Sequence, residues 1–105
     1  MEKMKVAIVK YGEMPYLTEI PNTLESLKDI VKGYIEMVRL PFNHELILIC
    51  NEEGKLLNLP PTMDLGFDII HGNFLIVKDV GFGEIGSLTP VDIEELNTYL
   101  NIKLD

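Results

Sequence analysis

The segment Leu46–Pro60, with the sequence LILICNEEGKLLNLP, places the strongest constraint on the fold. It begins with an apolar run, passes through a polar turn that ends in glycine, and returns to apolar residues before two prolines. This pattern predicts a β-hairpin with the arms Glu45–Asn51 and Lys55–Leu59. The residues between the arms suit a type I turn followed by Gly54 at positive φ. We therefore expect this hairpin at the centre of a sheet.

Four further segments combine apolar or alternating residues with glycine or proline boundaries, which is typical of β-strands. The predicted strands are Lys5–Lys10, Tyr16–Ile20, Tyr34–Leu40 and Ile69–Val80, the last either continuous or bent at Ile70–Asn73. In the first strand Val6 and Ile8 alternate with Ala7 and Val9, so both faces are apolar and need cover. The intervening Thr62–Asp68 is expected to form a loop.

A first helix is predicted over residues 23–32, where apolar residues recur at helical spacing. Asn22 and Glu25 have the spacing of a capping box, in which two side chains satisfy backbone N–H groups at a helix start. Gly33 is expected to supply the left-handed residue that ends the helix.

The second helix, over residues 90–100, has the clearest start signal: Thr89 as N-cap, Pro90 at the first helical position and Asp92 in the first turn. Together these elements predict an α+β fold. We expect a single domain over residues 1–105, with a mostly antiparallel or mixed sheet of about five to six strands and two helices.

Charge and cysteine usage limit the classes of partner. The chain has 105 residues, with 17 acidic against 9 basic side chains and a formal net charge of -8. Such a surface repels phosphate backbones and anionic lipid, so we expect no direct nucleic-acid binding and no membrane association. Cys50 is the only cysteine, and the amino terminus lacks the pattern of a signal peptide, which favours a cytoplasmic protein.

The segment Gly81–Gly86 matches the G-x-G-x-x-G pattern of dinucleotide-binding loops, but its context does not fit. The next helix is predicted to begin only near Thr89, and Glu84 would place negative charge where a pyrophosphate binds. A flexible glycine-rich loop that contacts a partner is the better interpretation.

No set of residues specifies a catalytic centre, a metal site or a cofactor. His44 and His71 are the only histidines, and neither has a partner at the spacing of metal ligands. His44 is expected to lie exposed in a turn. A pair formed by His71 and Glu52 is the one arrangement that would support acid/base chemistry.

Four aromatic residues lie in or beside predicted loops, where exposed rings would mark a contact surface. They are Tyr11, Tyr16, Phe42 and Phe82. Each ring can instead fold back onto the core.

Four segments together resemble a family of small proteins described as a domain of unknown function, found in phages, plasmids and mobile elements of Firmicutes and other bacteria. They are NTLESLKDIVKGYIEMVRL, LICNEEGKLLNLP, DIIHGNFLIV and SLTPVDIEEL, which fall within about residues 16–100. The resemblance implies a mobile-element accessory protein and assigns no activity to particular residues. It points to a shared surface that involves Glu36, Asn51, Glu52 and Lys55.

With His71 added, these residues form the candidate binding site: Glu36, Asn51, Glu52, Lys55 and His71. The first functional hypothesis is a non-enzymatic module that binds a protein of the host or of the element; an acidic mimic of nucleic acid is a special case. The alternative is a protein that binds or sequesters a small molecule such as a nucleotide. An enzyme that uses His71 and a carboxylate is the third, and a homodimer would cover apolar strand faces that two helices leave open.

Overall fold

The chain forms eight strands and two helices in the computed structural model, which describes residues 2–104. The elements are β1 (Lys3–Val9), β2 (Tyr16–Pro21), α1 (Leu24–Val31), β3 (Ile35–Leu40), β4 (Asn43–Asn51), β5 (Pro61–Asp64), β6 (Ile69–His71), β7 (Phe74–Gly81), β8 (Glu84–Gly86) and α2 (Pro90–Tyr99).

Six of the strands form one antiparallel sheet in the order β2-β1-β7-β4-β3, and β8 pairs with the end of β7. The strands β5 and β6 form a separate two-stranded antiparallel sheet. The predicted α+β fold, with a mostly antiparallel sheet and two helices, is therefore confirmed.

The two faces of the main sheet are covered by different helices. On β1, Val6 and Ile8 pack in one cluster with Leu27 of α1, whereas Ala7 and Val9 pack in another with Leu96 of α2. This arrangement explains why the central strands are apolar on both sides. Each face packs against a helix, so the uncovered apolar face that suggested a homodimer does not arise from the main sheet; the homodimer itself stays a prediction.

The amino-terminal end of α2 forms as predicted. The Thr89 side chain accepts a hydrogen bond from the Asp92 N–H, and the Asp92 carboxylate accepts one from the Thr89 N–H, with Pro90 at the first helical position. Two backbone donors that a helix start leaves open are satisfied in this way.

The predicted capping box of α1 is wrong. Thr23 is the N-cap, and its hydroxyl accepts the hydrogen bond of the Ser26 N–H at 3.2 Å. Asn22 instead donates from its side chain to the Ile85 carbonyl, 2.9 Å away in β8. Because the Asn22 side chain is bonded to a distant part of the chain, it does not cap the helix, and the predicted pair with Glu25 does not form.

The carboxyl end of α1 also differs from the prediction. Lys32 takes the left-handed conformation with φ 64°, a role that had been predicted for Gly33. Gly33 has a different role, since a Cβ at this position would lie 2.8 Å from the side-chain nitrogen of Asn51 and would force that amide to shift. The glycine thus leaves room for the Asn51 side chain at the end of the helix.

The predicted hairpin after β4 has no second arm. The segment Lys55–Leu59 lies in a series of turns, in which the Leu57 N–H donates to the Glu53 carbonyl and the Leu59 N–H to the Gly54 carbonyl. Strand β4 has β3 on one side and β7 on the other, so neither edge is open to a further strand. The turn itself forms, with the Gly54 N–H bonded to the Asn51 carbonyl at 3.2 Å, but Gly54 does not have positive φ.

The region after the two prolines contains a strand that the sequence interpretation missed. Strand β5 lies at Pro61–Asp64, inside and just before the predicted loop Thr62–Asp68, and pairs with β6. The predicted strand Ile69–Val80 is interrupted, because Gly72 with φ 87° separates β6 from β7. The bent alternative is the correct one.

The glycine-rich segment Gly81–Gly86 forms a tight hairpin between β7 and β8 in place of an irregular loop, while its flexibility and its contact with a partner stay predictions. Phe82 and Gly83 have φ of 56° and 73°, and positive φ at both central residues is the pattern of a type I′ turn. The segment therefore does not form a dinucleotide-binding loop, because no helix begins at Gly86.

Candidate functional site

The five candidate binding residues line one cavity of about 230 Å³. Glu36 comes from β3, Asn51 from the end of β4, Glu52 and Lys55 from the turns that follow, and His71 from β6. The cavity opens where the end of the main sheet meets the small β5–β6 sheet. The structure therefore brings together residues from four separate parts of the chain, while their role in binding stays a prediction.

Asn51 is buried, and its side-chain amide holds the wall of the cavity together. Its nitrogen donates to the Val31 carbonyl at 3.0 Å and to the Lys32 carbonyl at 3.3 Å, both at the end of α1. Its oxygen accepts from the Glu53 N–H at 2.8 Å. Because the donors are bonded to backbone carbonyls, Asn51 positions the site and offers little to a bound group.

His71 is held by its neighbours in a similar way. Its Nδ1 lies 2.9 Å from the Leu59 carbonyl oxygen, and a carbonyl only accepts, so Nδ1 is the donor. A neutral ring then carries its free acceptor at Nε2. On the other side, a Cβ on Gly54 would lie 2.6 Å from the His71 carbonyl oxygen, so glycine lets the turn approach β6. No ion pair between His71 and Glu52 forms within residues 2–104.

The charges around the cavity are unequal. Lys55 forms an ion pair with Asp68, which the sequence interpretation had placed in a loop. The hydrogen bond from Lys55, followed by that from the Ile69 N–H, lowers the pKa of Asp68. Glu36 and Glu52 make no ion pair in the part of the chain that the structure describes. The lining thus carries three carboxylates against one lysine.

Cys50 contributes an apolar wall. Its thiol is buried and lies 4.0 Å from a carboxylate oxygen of Glu36. Burial, with the nearby charges of Glu36 and Asp68, raises the pKa of Cys50 to about 11. A thiol with so high a pKa is protonated near neutral pH and is a poor nucleophile, which agrees with its prediction as a small hydrophobic residue.

Apolar side chains form the rim of the cavity. Leu56 is 85% exposed and Ile69 is 43% exposed, and both line the opening. Exposed leucine and isoleucine beside charged groups resemble the mixture of apolar and polar contacts in protein interfaces.

Seven further residues line the cavity that sequence reasoning did not assign to the site: Val38, Cys50, Gly54, Leu56, Asp68, Ile69 and Ile70. Asp68 and Ile69 reach the cavity only because β6 pairs with β5, and that pairing has no local signature beyond a short apolar run. The sequence predicts Leu56 in the second hairpin arm, Lys55–Leu59, where its side chain would pack in the sheet and not at the cavity opening.

The four aromatic residues near predicted loops divide into two groups. Tyr11 and Phe82 are exposed, and the Phe82 ring is fully exposed at the tip of the β7–β8 hairpin. Tyr16 is partly buried against the α1 cluster, and Phe42 stacks on Tyr99 with ring centroids 4.6 Å apart. His44 is exposed, as predicted.

Two kinds of feature are absent from the described residues, a metal-binding cluster and a membrane-spanning helix. Within residues 2–104 no group of three or more histidine, cysteine or acidic side chains is placed to hold a metal ion. Neither helix in this range is long and apolar enough to cross a membrane.

Comparison with known proteins identifies a family for this chain. The model of a family described as a domain of unknown function, DUF3846, matches residues 4–101. No curated protein and no solved structure matches the chain significantly.

Proposed function

We propose, for a chain that belongs to the DUF3846 family of domains of unknown function, a non-enzymatic role in binding another protein. The partner is a protein of a bacterial host or of a phage or other mobile element. The place of action in this proposal is the bacterial cytoplasm. The site is the cavity lined by Glu36, Glu52, Lys55 and His71, and it binds a cationic side chain of the partner.

The observation that carries the proposal is the charge of the cavity. Glu36 and Glu52 have no ion-pair partner within residues 2–104, whereas Lys55 is paired with Asp68. A lysine or arginine of a partner would supply the missing positive charge and donate charge-assisted hydrogen bonds to these carboxylates. The formal net charge of -8 would also steer a basic partner toward the surface.

The size of the cavity favours a side chain over a free small molecule. Its volume of about 230 Å³ lies below the roughly 300–1,000 Å³ of typical ligand pockets. Its unpaired carboxylates would repel the phosphates of a nucleotide. The small-molecule alternative therefore has less support.

The pair that an acid/base enzyme would need does not form. Within residues 2–104 His71 donates to the Leu59 carbonyl and makes no ion pair with Glu52, and burial raises the pKa of the Cys50 thiol to about 11. The exposed Leu56 and Ile69 at the rim suit a contact that excludes water around a central charged group. These features support binding more than catalysis.

The test is selection of short random peptides displayed on phage against the immobilised protein. We expect enrichment of peptides with lysine or arginine beside apolar residues. The variant Glu36→Gln/Glu52→Gln should lose this enrichment. A matched control, Glu13→Gln/Glu84→Gln, changes the net charge equally at two exposed glutamates outside the cavity and should retain it.

Calorimetry on one enriched peptide then measures the effect. One charge-assisted hydrogen bond contributes about 1.5–3 kcal/mol, so loss of a single such bond should weaken binding roughly 10- to 150-fold, and the double variant should weaken it at least as much. Enrichment of acidic peptides, no enrichment at all, or equal losses in the two double variants would contradict the proposal.

A further inference from the structure

Strands β2 and β3 lie at the two ends of the strand order of the main sheet, and each is paired on one side only. The Glu52 N–H donates to the Tyr34 carbonyl at 2.9 Å, so Tyr34 and Glu52 form a hydrogen-bonded pair next to the first pair of the β3–β4 ladder. Antiparallel ladders alternate between bonded and non-bonded pairs. The backbone groups of Glu36 and Val38 therefore point toward β4.

By the same alternation, the N–H and C=O groups of Ile35, Met37 and Arg39 point away from the sheet. Among residues 2–104, the only strand paired with β3 is β4. These three alternate residues thus offer six backbone hydrogen-bonding groups along this edge. An edge of this kind is a template on which an extended chain can add a strand.

The opposite edge is less open. The Asn22 N–H donates to the Glu2 carbonyl at 3.0 Å, which by the same alternation turns Leu17, Glu19 and Pro21 outward. Pro21 has no N–H, and its carbonyl already accepts a hydrogen bond from the Thr23 N–H at 2.9 Å. A proline at an edge blocks strand addition there.

The side chains next to the open edge differ on its two faces. On one face, Glu36 points into the cavity with Glu52. On the other face lies Met37, which is 49% exposed. An added strand would therefore place alternate side chains beside the carboxylates and beside Met37.

We infer that β3 accepts an extended, basic segment of a partner protein as an additional strand of the sheet, with a lysine or arginine side chain entering the cavity. The inference rests on the proposed function and names how the partner binds. Charge complementarity selects this occupant, because the segment would bring positive charge to Glu36 and Glu52. A second copy of the chain carries the same net charge of -8 and is opposed by repulsion.

We place the added strand antiparallel to β3, as all described pairs of the main sheet are, and this orientation fixes the role of each of its residues. Residues that bond to Ile35, Met37 and Arg39 then have side chains on the Met37 face, whereas residues between them have side chains on the cavity face and N–H groups that point away. In a peptide of alternating valine and arginine, the valines therefore bond to β3 when the arginines face the cavity.

The experiment uses three acetylated, amidated peptides of alternating valine and arginine with equal charge. One is unmodified, one is N-methylated at the valines and one is N-methylated at the arginines. We expect the unmodified and arginine-methylated peptides to bind and the valine-methylated peptide to fail. Amide hydrogen exchange by NMR should show Ile35, Met37 and Arg39 exchanging about tenfold more slowly when free peptide is about ten times Kd.

The matched variant is Met37→Pro. It removes an N–H that points away from β4, so the fold should persist while peptide binding is lost. The alternating N–H groups of Glu36 and Val38 should stay protected in this variant.

The other results separate two failures. If all three peptides bind, and resonances of the cavity shift without protection of Ile35, Met37 and Arg39, the proposed side-chain capture stands and strand addition is overturned. If no peptide binds, the proposed function fails as well. If the three amides become protected without peptide as protein concentration rises, a second copy occupies the edge and the inference is overturned.

Discussion

Two polar side chains are buried within residues 2–104, Asn51 at 5% exposure and Asp92 at 3% exposure. Both connect a helix to the sheet, but by different interactions. Each ties one end of a helix to the sheet. Asn51 joins the last turn of α1 to β4 through hydrogen bonds to backbone groups. Asp92 joins the first turn of α2 to β7 through the Thr89 N–H and the Lys78 ammonium, which lies 2.8 Å away.

The difference lies in charge and in access. Asn51 is neutral and borders the candidate cavity, whereas Asp92 is ionised and enclosed with Lys78, whose side chain is only 18% exposed. Glu45 lies 3.1 Å from the same ammonium but is mostly exposed. A neutral anchor can lie beside an open site without depending on pH, whereas an enclosed charged anchor needs a partner of opposite charge because burial removes its hydration.

The largest expected effect comes from Asp92→Ala. The change leaves the enclosed Lys78 with only the exposed Glu45 and removes the acceptor of the Thr89 N–H. Breaking a buried ion pair in this way costs about 3–5 kcal/mol. Urea denaturation should show this loss, and Glu94→Ala, an exposed position of the same helix, should stay within about 0.5 kcal/mol of the natural chain. A loss no larger than that of the control would show that the pair contributes nothing.

A smaller loss is expected for Asn51→Ala. The buried Val31 carbonyl would lose its partner, at a cost of about 1–3 kcal/mol, whereas the Lys32 carbonyl and the Glu53 N–H are partly buried and can bond to water instead. The control is Glu53→Ala, which removes an exposed side chain and keeps the bonded N–H. If Asn51→Ala costs as much as Asp92→Ala, the contrast between the two anchors is wrong.

The two anchors should also differ in their response to acid. Burial alone would raise the pKa of Asp92, but hydrogen bonds from Lys78 and Thr89 outweigh it and hold the pKa below the usual value. Since the pKa is lower in the folded state, the stabilisation is complete above the ordinary aspartate pKa of about 3.9 and is lost as pH falls through the folded value.

Denaturation over a series of pH values tests this expectation. The difference in unfolding free energy between the natural chain and Asp92→Asn should shrink as pH falls below about 4. Asn51→Ala should run parallel to the natural chain, because an amide does not titrate. If the unfolding free energies of Asp92→Asn and the natural chain change in parallel with pH, the charge of Asp92 does not contribute to stability.

The smallest effect is expected in the reactivity of Cys50. With a pKa of about 11 and a buried thiol, only about one thousandth is ionised at pH 8, so labelling by a disulfide reagent should be slow. Asn51→Ala should accelerate labelling by local opening, about tenfold for each 1.4 kcal/mol, whereas Asp92→Ala should act only through global unfolding. The labelling rates of the two variants are compared at denaturant concentrations that give both the same global stability, which separates local opening from global unfolding. Equal labelling rates would contradict the local role of Asn51.

Much of the fold follows from local patterns. The start of α2 was predicted to the residue, because Thr89, Pro90 and Asp92 act within one helical turn. The alternation along β1 likewise identified which side chains belong to each face. In both cases the physical cause lies within a few residues of the observed effect.

Predictions failed where distant segments compete for the same hydrogen bonds. Lys55–Leu59 has the composition of a strand, yet β3 and β7 already occupy both edges of β4. Asn22 and Glu25 have the spacing of a capping box, yet the Asn22 side-chain amide donates to the Ile85 carbonyl in β8. Asp68 entered the site because β5 and β6 pair, an event without a strong local signal.

The sequence by itself determined the α+β class, the two helices, the apolar faces of the central strands and the acidic charge, since these depend on composition and on periods of two or 3.6 residues. Only the tertiary structure decided that Glu36, Asn51, Glu52, Lys55 and His71 line one cavity beside an open sheet edge. The reason is that strand pairing is non-local: which edge remains open depends on every other strand of the sheet.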